Sequence, residues 1–282
     1  MKTNILAIAC VALLCGQAWA GTEDVVPSCY DHRLGVTPAP ASTELFVLVD
    51  QTTVFDTTLQ QQVADNIRAF MKPGNAFSVL TFSAFSQGRY AQVLSAGTIE
   101  PGIAADVRDD ISKPLLAKFD ACEKRQPQLA MQAIGMALRT AFGASNADLA
   151  KSDVMASLKS ISSRVKKSTA REKVVLIASD MLENSSITSF YTAKGAAVRQ
   201  IDMAKELKLA GDNDMFGDFG GAKVYVVGAG LLAEDTKNGN KYRDPKTMRA
   251  LAGFWTSYFQ KSQATLVELG QPALLNSIKD AH

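Results

Sequence analysis

Histidine is almost absent from this sequence, whose 282 residues include only His32 and His282. A zinc site or a catalytic triad built on histidine therefore has few donors to draw on. The phosphate-binding pattern GxxxxGK(S/T) and the nucleophile pattern GxSxG do not occur either. These absences favour a binding function, and we expect the protein not to be an enzyme.

Long apolar runs are missing beyond the first twenty residues. Lys2, the apolar stretch 5–15 and the small residues Ala18 and Ala20 form the pattern of a signal peptide that is cleaved after Ala20. No later stretch reaches about 18 uninterrupted apolar residues, the length that crosses a bilayer. The sequence thus predicts a periplasmic or secreted protein with no integral membrane segment after cleavage.

Neither sign of charge is in large excess. The chain has 30 Lys and Arg against 28 Asp and Glu, so its formal net charge is +2. Removal of residues 1–20 takes away Lys2 and no acid, which lowers the net charge by one. This balance gives no electrostatic basis for binding nucleic acid or an anionic membrane.

Cysteine is scarce, and two of the four cysteines, Cys10 and Cys15, lie in the predicted signal peptide. Cys29 and Cys122 are the remaining pair. In an oxidising compartment such a pair usually forms a disulfide, and two buried thiols are the alternative. No CxxC pattern accompanies the pair, which speaks against a redox or metal-binding role.

Continuous apolar runs recur along the chain after its first 43 residues and mark the predicted strands. Residues 21–43 are polar and contain three prolines, which predicts an extended N-terminal arm, and residues 44–282 are expected to form one domain. Several continuous apolar runs are typical of strands that are buried on both faces of a parallel sheet. Strands are predicted over 45–49, 77–82, 90–94, 174–178, 224–227 and 264–269.

Helical spacing of apolar residues separates most of these strands. The short gap between the second and third strands predicts an antiparallel hairpin instead. Strands that alternate with long helices predict an α/β fold with a mainly parallel sheet covered on both faces. Helices are predicted over 57–71, 103–121, 128–142, 147–167, 194–209 and 245–261. The expected buried face of the helix over 128–142 contains Leu129, Ala133, Met136, Ala137 and Ala141.

Two of the predicted strands end in an aspartate. Asp50 follows the run 45–49, and Asp180 follows the run 174–178. The carboxyl ends of parallel strands form the binding edge of an open α/β sheet, so adjacent strands would bring Asp50, Thr52 and Asp180 together. Such hard oxygen ligands suit Mg²⁺. The alternative is that each carboxylate caps a helix or hydrogen-bonds a loop.

The succession of elements resembles a von Willebrand factor type A domain over about residues 44–270. The resemblance rests on an apolar strand followed by Asp50-Gln51-Thr52, on the segment 78–83, on Ile134-Gly135, on Ser179-Asp180 and on the segment 224–228. It implies a doubly wound sheet with one antiparallel edge strand. It also implies a role in adhesion or assembly, in which Mg²⁺ at the strand ends takes its last ligand from an acidic side chain of the partner.

The metal motif of that family, Asp-x-Ser-x-Ser with a later Thr and Asp, is matched only in part. Asp50, Thr52 and Asp180 match and are the candidate metal ligands. Val54 stands where the second hydroxyl belongs, and Gln132 or Met131 stands at the place of the lone Thr. A degenerate site of this kind implies weak Mg²⁺ binding, or partner binding without a metal.

The same edge is the expected contact surface for a protein partner. Thr53, Ser179, Met181 and Glu183 flank the candidate ligands and are predicted to be partner-binding residues. We therefore expect an extracytoplasmic binding module that serves a multi-protein envelope or secreted complex. A purely structural subunit with a degenerate edge is an alternative.

Asp50 to Val54 also resembles the nucleophile loop Asp-x-Asp-x-Thr/Val of haloacid-dehalogenase-like phosphatases. Asp50 would there attack phosphorus, but Thr52 replaces the acid that protonates the leaving group.

Two weaker patterns are interpreted as a turn and a loop. The glycine pattern at 228–233 lacks the following helix of a dinucleotide site, and the acidic segment 212–217 lacks the later glutamate of a calcium loop.

Overall fold

The structure is a computed structural model that describes residues 23–83, 91–146, 152–192, 197–232 and 244–280. The predicted signal peptide over 1–20 lies outside these ranges. The first residues of the predicted helices over 147–167 and 194–209 lie outside them as well. Among the described helices, none is both long enough and apolar enough to cross a bilayer.

A single six-stranded sheet forms the centre of the fold. Its strands are β1 (Thr43–Asp50), β2 (Asn75–Phe82), β3 (Gln92–Ile99), β4 (Glu172–Ala178), β5 (Ala222–Val227) and β6 (Ala264–Leu269). They lie in the order β3-β2-β1-β4-β5-β6. All neighbours are parallel except β2 and β3. The predicted α/β fold, a mainly parallel sheet with one antiparallel edge strand, is confirmed.

Helices cover both faces of this sheet. They are α1 (Thr57–Arg68), α2 (Ala105–Arg108), α3 (Lys113–Glu123), α4 (Gln126–Gly143), α5 (Val154–Lys167), α6 (Met203–Asp212) and α7 (Pro245–Lys261). Leu45 and Val47 of β1 share one core with residues of α1 and α4. Phe46 and Leu48 point to the other face and share a core with α5 and α7. Two buried faces explain why β1 is apolar without alternation.

Both outer strands of the sheet carry an irregularity. The pairing of β3 with β2 shifts register at Val79 and Leu80. The pairing of β6 with β5 shifts at Val224 and Tyr225. Such shifts disturb the regular spacing of hydrogen-bonding groups along an edge strand.

Residues 23–42 form an arm that runs past β3 without forming a strand. Cys29 forms a disulfide with Cys122 of α3, so the expected pairing is present. The carboxylate of Glu100 also holds the arm, because it accepts hydrogen bonds from the Ser28 hydroxyl at 2.6 Å and from the Cys29 amide at 2.7 Å. The Val25 amide donates to the Ala96 carbonyl on the outer edge of β3.

The segment 270–280 after β6 crosses α1 without regular secondary structure. The Gln62 side chain exchanges two hydrogen bonds with the backbone of Leu274, and the Asn66 side chain accepts one from the Ile278 amide. Near its end, Asp280 accepts hydrogen bonds from Thr43 and Asn75 at the amino ends of β1 and β2. The segment therefore links the two ends of the sheet.

Two helix predictions are corrected. The helix expected over 103–121 is two helices, α2 and α3, with residues 109–112 between them. The helix expected from 194 begins at Met203, because Asp202 caps it by accepting a hydrogen bond from the Lys205 amide. Val198 instead forms a β-bridge with Tyr191.

The buried face of α4 also differs from the predicted one. Ile134 and Leu138 are buried, whereas Met136 is 57% exposed. The cause lies at the first turn, where the buried side chain of Gln126 accepts a hydrogen bond from the Glu100 amide and donates one to the Pro27 carbonyl. These bonds fix the rotation of the helix about its axis.

We expect a matched pair of substitutions on α4 to report this rotation. Ile134→Ala should lower the free energy of unfolding by about 2–5 kcal/mol, because it leaves a cavity in the core. Met136→Ala should change it by less than about 0.5 kcal/mol, because the side chain is mostly exposed. Urea unfolding of both variants measures the difference, and equal losses would contradict the observed face.

Candidate functional site

The carboxyl ends of β1 and β4 meet as the sequence predicts. The two strands are parallel neighbours, with Val49 opposite Ala178. Asp50 and Asp180 therefore follow adjacent strands at the same edge of the sheet. The Thr53 hydroxyl joins the two loops by accepting a hydrogen bond from the Asp180 amide at 3.3 Å.

Asp50 is fully buried and is the centre of a hydrogen-bond cluster. One carboxylate oxygen accepts from the Thr52 amide at 2.9 Å and from the Thr52 hydroxyl at 2.6 Å. The other accepts from the Ser179 hydroxyl at 2.7 Å and from the Thr53 hydroxyl at 3.4 Å. Four donors of this kind stabilise a negative charge on Asp50.

Asp180 lies beside Asp50 and has fewer donors. Its carboxylate accepts hydrogen bonds from the Leu182 amide at 2.8 Å and the Tyr191 hydroxyl at 2.9 Å. Burial, with the nearby charge of Asp50, raises the pKa of Asp180 to about 8. Burial also raises the pKa of Asp50, against the donors Thr52 and Ser179. The larger number of hydrogen-bond donors to Asp50 favours the negative charge on that residue over Asp180.

Ser152 is a member of the site that sequence reasoning missed. Its hydroxyl oxygen lies 3.0 Å from that of Thr52. The backbone of Ser152 exchanges two hydrogen bonds with Asn184, the residue that follows Glu183. The sequence motif places the missing hydroxyl at Met131 or Gln132, which lie inside α4, whereas the hydroxyl next to Thr52 belongs to Ser152, two residues before α5. A serine next to an acidic residue at the start of a helix was the only local signal.

The turn after β5 supports the same edge. Gly228 and Gly230 both have positive φ, 103° and 77°, which glycine adopts without strain. The Gly230 amide donates to the Asp180 carbonyl at 2.8 Å. The interpretation of this glycine pattern as a strand-end turn is confirmed. The residues from 233 to 240, which follow it, lie outside the described part of the chain.

Two of the predicted partner-binding residues, Met181 and Glu183, point into the protein. Met181 has a positive φ of 56° and a fully buried side chain beneath α7, where Trp255 donates to its carbonyl at 2.9 Å. Glu183 accepts a hydrogen bond from the Met155 amide at 2.9 Å and so caps the first turn of α5. In this conformation neither side chain offers surface to a partner.

Thr53 and Ser179 are likewise buried within the cluster. Among the described residues, Gln51, Thr52 and Tyr191 are partly exposed next to the cluster, so they offer surface to a partner there.

The cluster has the donor types that Mg²⁺ prefers. Among the described residues, no group of three or more His, Cys, Asp and Glu side chains is placed to hold a metal ion. Two carboxylates and the hydroxyls of Thr52 and Ser152 nevertheless supply hard oxygen atoms. The two hydroxyl oxygens are 3.0 Å apart, the distance of a hydrogen bond between them. This donor set therefore fits the ion in the type of its ligands.

Comparison with known proteins adds little to this geometry. No family model matches the chain, and no curated protein matches it. Among solved structures, the chain is similar to proximal thread matrix protein 1 from the mussel byssus, with 11% identity over 71% of this chain and 41% of that one, at a TM-score of 0.32.

Two further structures show a similarity of the same low level. An aerotolerance-related membrane protein from Bacteroides fragilis has 9% identity over 82% of this chain and 92% of that one, at a TM-score of 0.33. The pilus adhesin SpaC from Lactobacillus rhamnosus GG has 14% identity over 67% and 24%, at a TM-score of 0.32. The chain thus spans less than half of the mussel protein and of the adhesin. Similarities this weak carry no argument about function.

The buried carboxyl groups predict a pH-dependent stability. Burial raises the pKa of Asp180 and of Glu183 to about 8 in each case, from usual values of 3.8 and 4.5. At pH values between the usual pKa values and the raised pKa of about 8, the folded protein holds protons that the unfolded chain releases. The free energy of unfolding should therefore fall from pH 5 to pH 8, by up to about 1.4 kcal/mol per pH unit for each proton held.

Urea unfolding at pH 5, 6, 7 and 8 measures this slope. Glu183→Gln keeps a cap on α5 and cannot titrate, so its slope should be shallower than that of the wild type. Glu172→Gln, at a partly exposed ion pair with Lys223, is the control and should leave the slope unchanged. Parallel slopes for all three proteins would show that Glu183 is ionised across this range.

Proposed function

We propose that this chain is a protein-binding module of the von Willebrand factor type A kind that acts outside the cytoplasm. It contacts its partner through the carboxyl edge of the sheet and serves the assembly of a larger envelope or secreted complex. The cluster of Asp50, Thr52, Ser152 and Asp180 is the observation that carries the proposal. It concentrates acidic and hydroxyl groups at the edge where open α/β sheets bind ligands.

Binding is assisted by Mg²⁺ in this proposal. The hydroxyls of Thr52 and Ser152 hold the ion, and the carboxylates of Asp50 and Asp180 balance its charge. When bound, Mg²⁺ supplies a cationic centre for an acidic side chain of the partner. Asp180 must give up its proton for the cluster to reach its full negative charge, so affinity for Mg²⁺ rises with pH.

The geometry favours this function over phosphoryl transfer. A nucleophilic carboxylate needs an oxygen that can reach phosphorus. Asp50 is fully buried, and both of its oxygen atoms already accept hydrogen bonds. Thr52, which replaces the acid of the phosphatase pattern, donates to Asp50 itself.

A location outside the cytoplasm agrees with the disulfide between Cys29 and Cys122. Disulfides persist in oxidising compartments and are rare in the cytosol. The disulfide holds the arm to α3, so the structure uses this bond to attach a segment that has little secondary structure of its own.

Calorimetric titration with Mg²⁺ tests the metal part of the proposal. The mature protein should bind Mg²⁺ more tightly at pH 8.5 than at pH 6.5, and should release protons on binding. Ser152→Ala should weaken binding by about tenfold or more, whereas Ser277→Ala, on the exposed C-terminal segment, should not. A flat titration at pH 8.5 would remove Mg²⁺ from the proposal.

Site-specific photocrosslinking tests the partner part separately. A photoreactive residue in place of Gln51, at the edge beside Thr52, should crosslink to a discrete protein in the native envelope fraction. The same residue in place of Thr265, exposed on β6, should not give that product. Identical patterns from both positions, or none from Gln51, would contradict a contact surface at the carboxyl edge.

A further inference from the structure

A second concave surface lies at the opposite, amino end of β1 and β2. It is a groove of about 580 Å³ between the sheet and the N-terminal arm. This volume is within the range of about 300–1,000 Å³ that is common for ligand sites. The groove is well separated from the carboxyl edge, so nothing that follows depends on the function proposed for that edge.

Small side chains on three neighbouring strands form the floor of the groove. Glu44 of β1 is paired with Ala76 of β2, which is paired with Thr98 of β3. In the next row Ser78 is paired with Ala96. Further along β2 the same face carries Leu80, which is buried in the core. The groove therefore exists because small residues replace large ones at this end of the sheet.

The walls of the groove come from segments that are fixed in place. Glu23 and Asp24 of the arm form one side, and Pro38 to Ala41 form another. Arg164 of α5 completes the lining. The disulfide of Cys29 and the hydrogen bonds to Glu100 hold the arm, and prolines restrict the second wall. A groove with rigid walls loses little entropy when a ligand binds.

Acidic groups dominate this lining. The described lining has one basic residue, Arg164, against four acidic residues, Glu23, Asp24, Glu44 and Glu100. Arg164 is paired with Glu23 at 2.9 Å. Glu100 is already occupied by donors from the arm. The charge of the lining is therefore complementary to a cation.

Glu44 is the carboxylate that a cationic ligand would meet on the floor. It is half-buried and accepts a hydrogen bond from the Ser78 hydroxyl at 3.1 Å. Within the described ranges, no Lys or Arg lies within ion-pair distance of it. Lys173, its neighbour on β4, donates to the Gly220 carbonyl at 3.2 Å instead. A half-buried carboxylate without an ion-pair partner can accept a positively charged ligand.

We propose that this groove binds a lysine or arginine side chain from an extended segment of a partner protein. The aliphatic stem lies on Ala76 and Ala96, and the charged head pairs with Glu44. The groove has room for more than one side chain, so residues flanking the basic one also contact the walls.

Nitrogen-15 chemical-shift mapping of the mature protein tests the proposal. The probe is the blocked pentapeptide Ala-Ala-Arg-Ala-Ala, compared with the same peptide carrying citrulline, which keeps the shape and loses the charge. The arginine peptide should shift the amides of Ala76, Ser78 and Ala96 in a saturable way. The citrulline peptide should bind at least fivefold more weakly.

Two variants and one control separate the groove from general charge effects. Glu44→Gln keeps the hydrogen bond with Ser78 and should weaken binding of the arginine peptide at least fivefold. Cys29→Ser combined with Cys122→Ser loosens the arm wall and should also weaken it. Glu172→Gln removes an equal charge next to Lys223 and should leave the affinity unchanged.

Three outcomes would overturn the proposal. The first is equal affinity for the arginine and citrulline peptides. The second is a set of shifted amides away from β2 and β3, or an affinity that Glu44→Gln does not change. The third is binding of free spermidine as tight as that of the peptide, which would make a small polycation the occupant in place of a protein segment.

Discussion

The pairing of β1 with β4 is the constraint on which the carboxyl edge depends. Because these strands are parallel neighbours in the middle of the sheet, the residues that follow them leave the core at the same place. Two carboxylates, Asp50 and Asp180, are thereby brought together in a buried position. Two like charges in such a position repel each other and are poorly solvated. The remaining features of the edge can be understood as ways of making this juxtaposition stable.

Hydroxyl groups stabilise this juxtaposition. Thr52, Thr53 and Ser179 all donate to Asp50, and the Tyr191 hydroxyl donates to Asp180. Farther from Asp50, Glu183 caps the first turn of α5. Its neighbour Asn184 forms a β-bridge with Ser152. These two contacts attach the start of α5 to the loop after β4. The hydroxyl of Ser152 is thus positioned both by backbone pairing and by its hydrogen bond with the Thr52 hydroxyl. A cluster that is this fully hydrogen-bonded is rigid, which lowers the cost of binding a ligand at the edge.

Sequence patterns predicted most of the strands and long helices, because those elements depend on local apolar spacing, but the strand predicted over 90–94 is β3, which ends at Ile99. The helix over 245–261 and the strand over 264–269 were predicted with the bounds observed for α7 and β6. Features set by distant contacts were not predicted. The rotation of α4 depends on Gln126 meeting Glu100 and Pro27, and the place of Ser152 depends on a bridge to Asn184. The inward turn of Met181 follows from a left-handed backbone conformation that apolar spacing does not encode.

The register shifts in β3 and β6 affect how readily another molecule can pair with the outer strands of this sheet. An outer strand with evenly spaced hydrogen-bonding groups is a template on which a second molecule can extend the sheet, and repetition of that step produces fibrils. In this protein the pairing of β3 with β2 shifts register at Val79/Leu80, and the pairing of β6 with β5 shifts at Val224/Tyr225. On β3, Val25 also occupies the Ala96 carbonyl. These features therefore disfavour extension of the sheet by a second molecule at either outer strand.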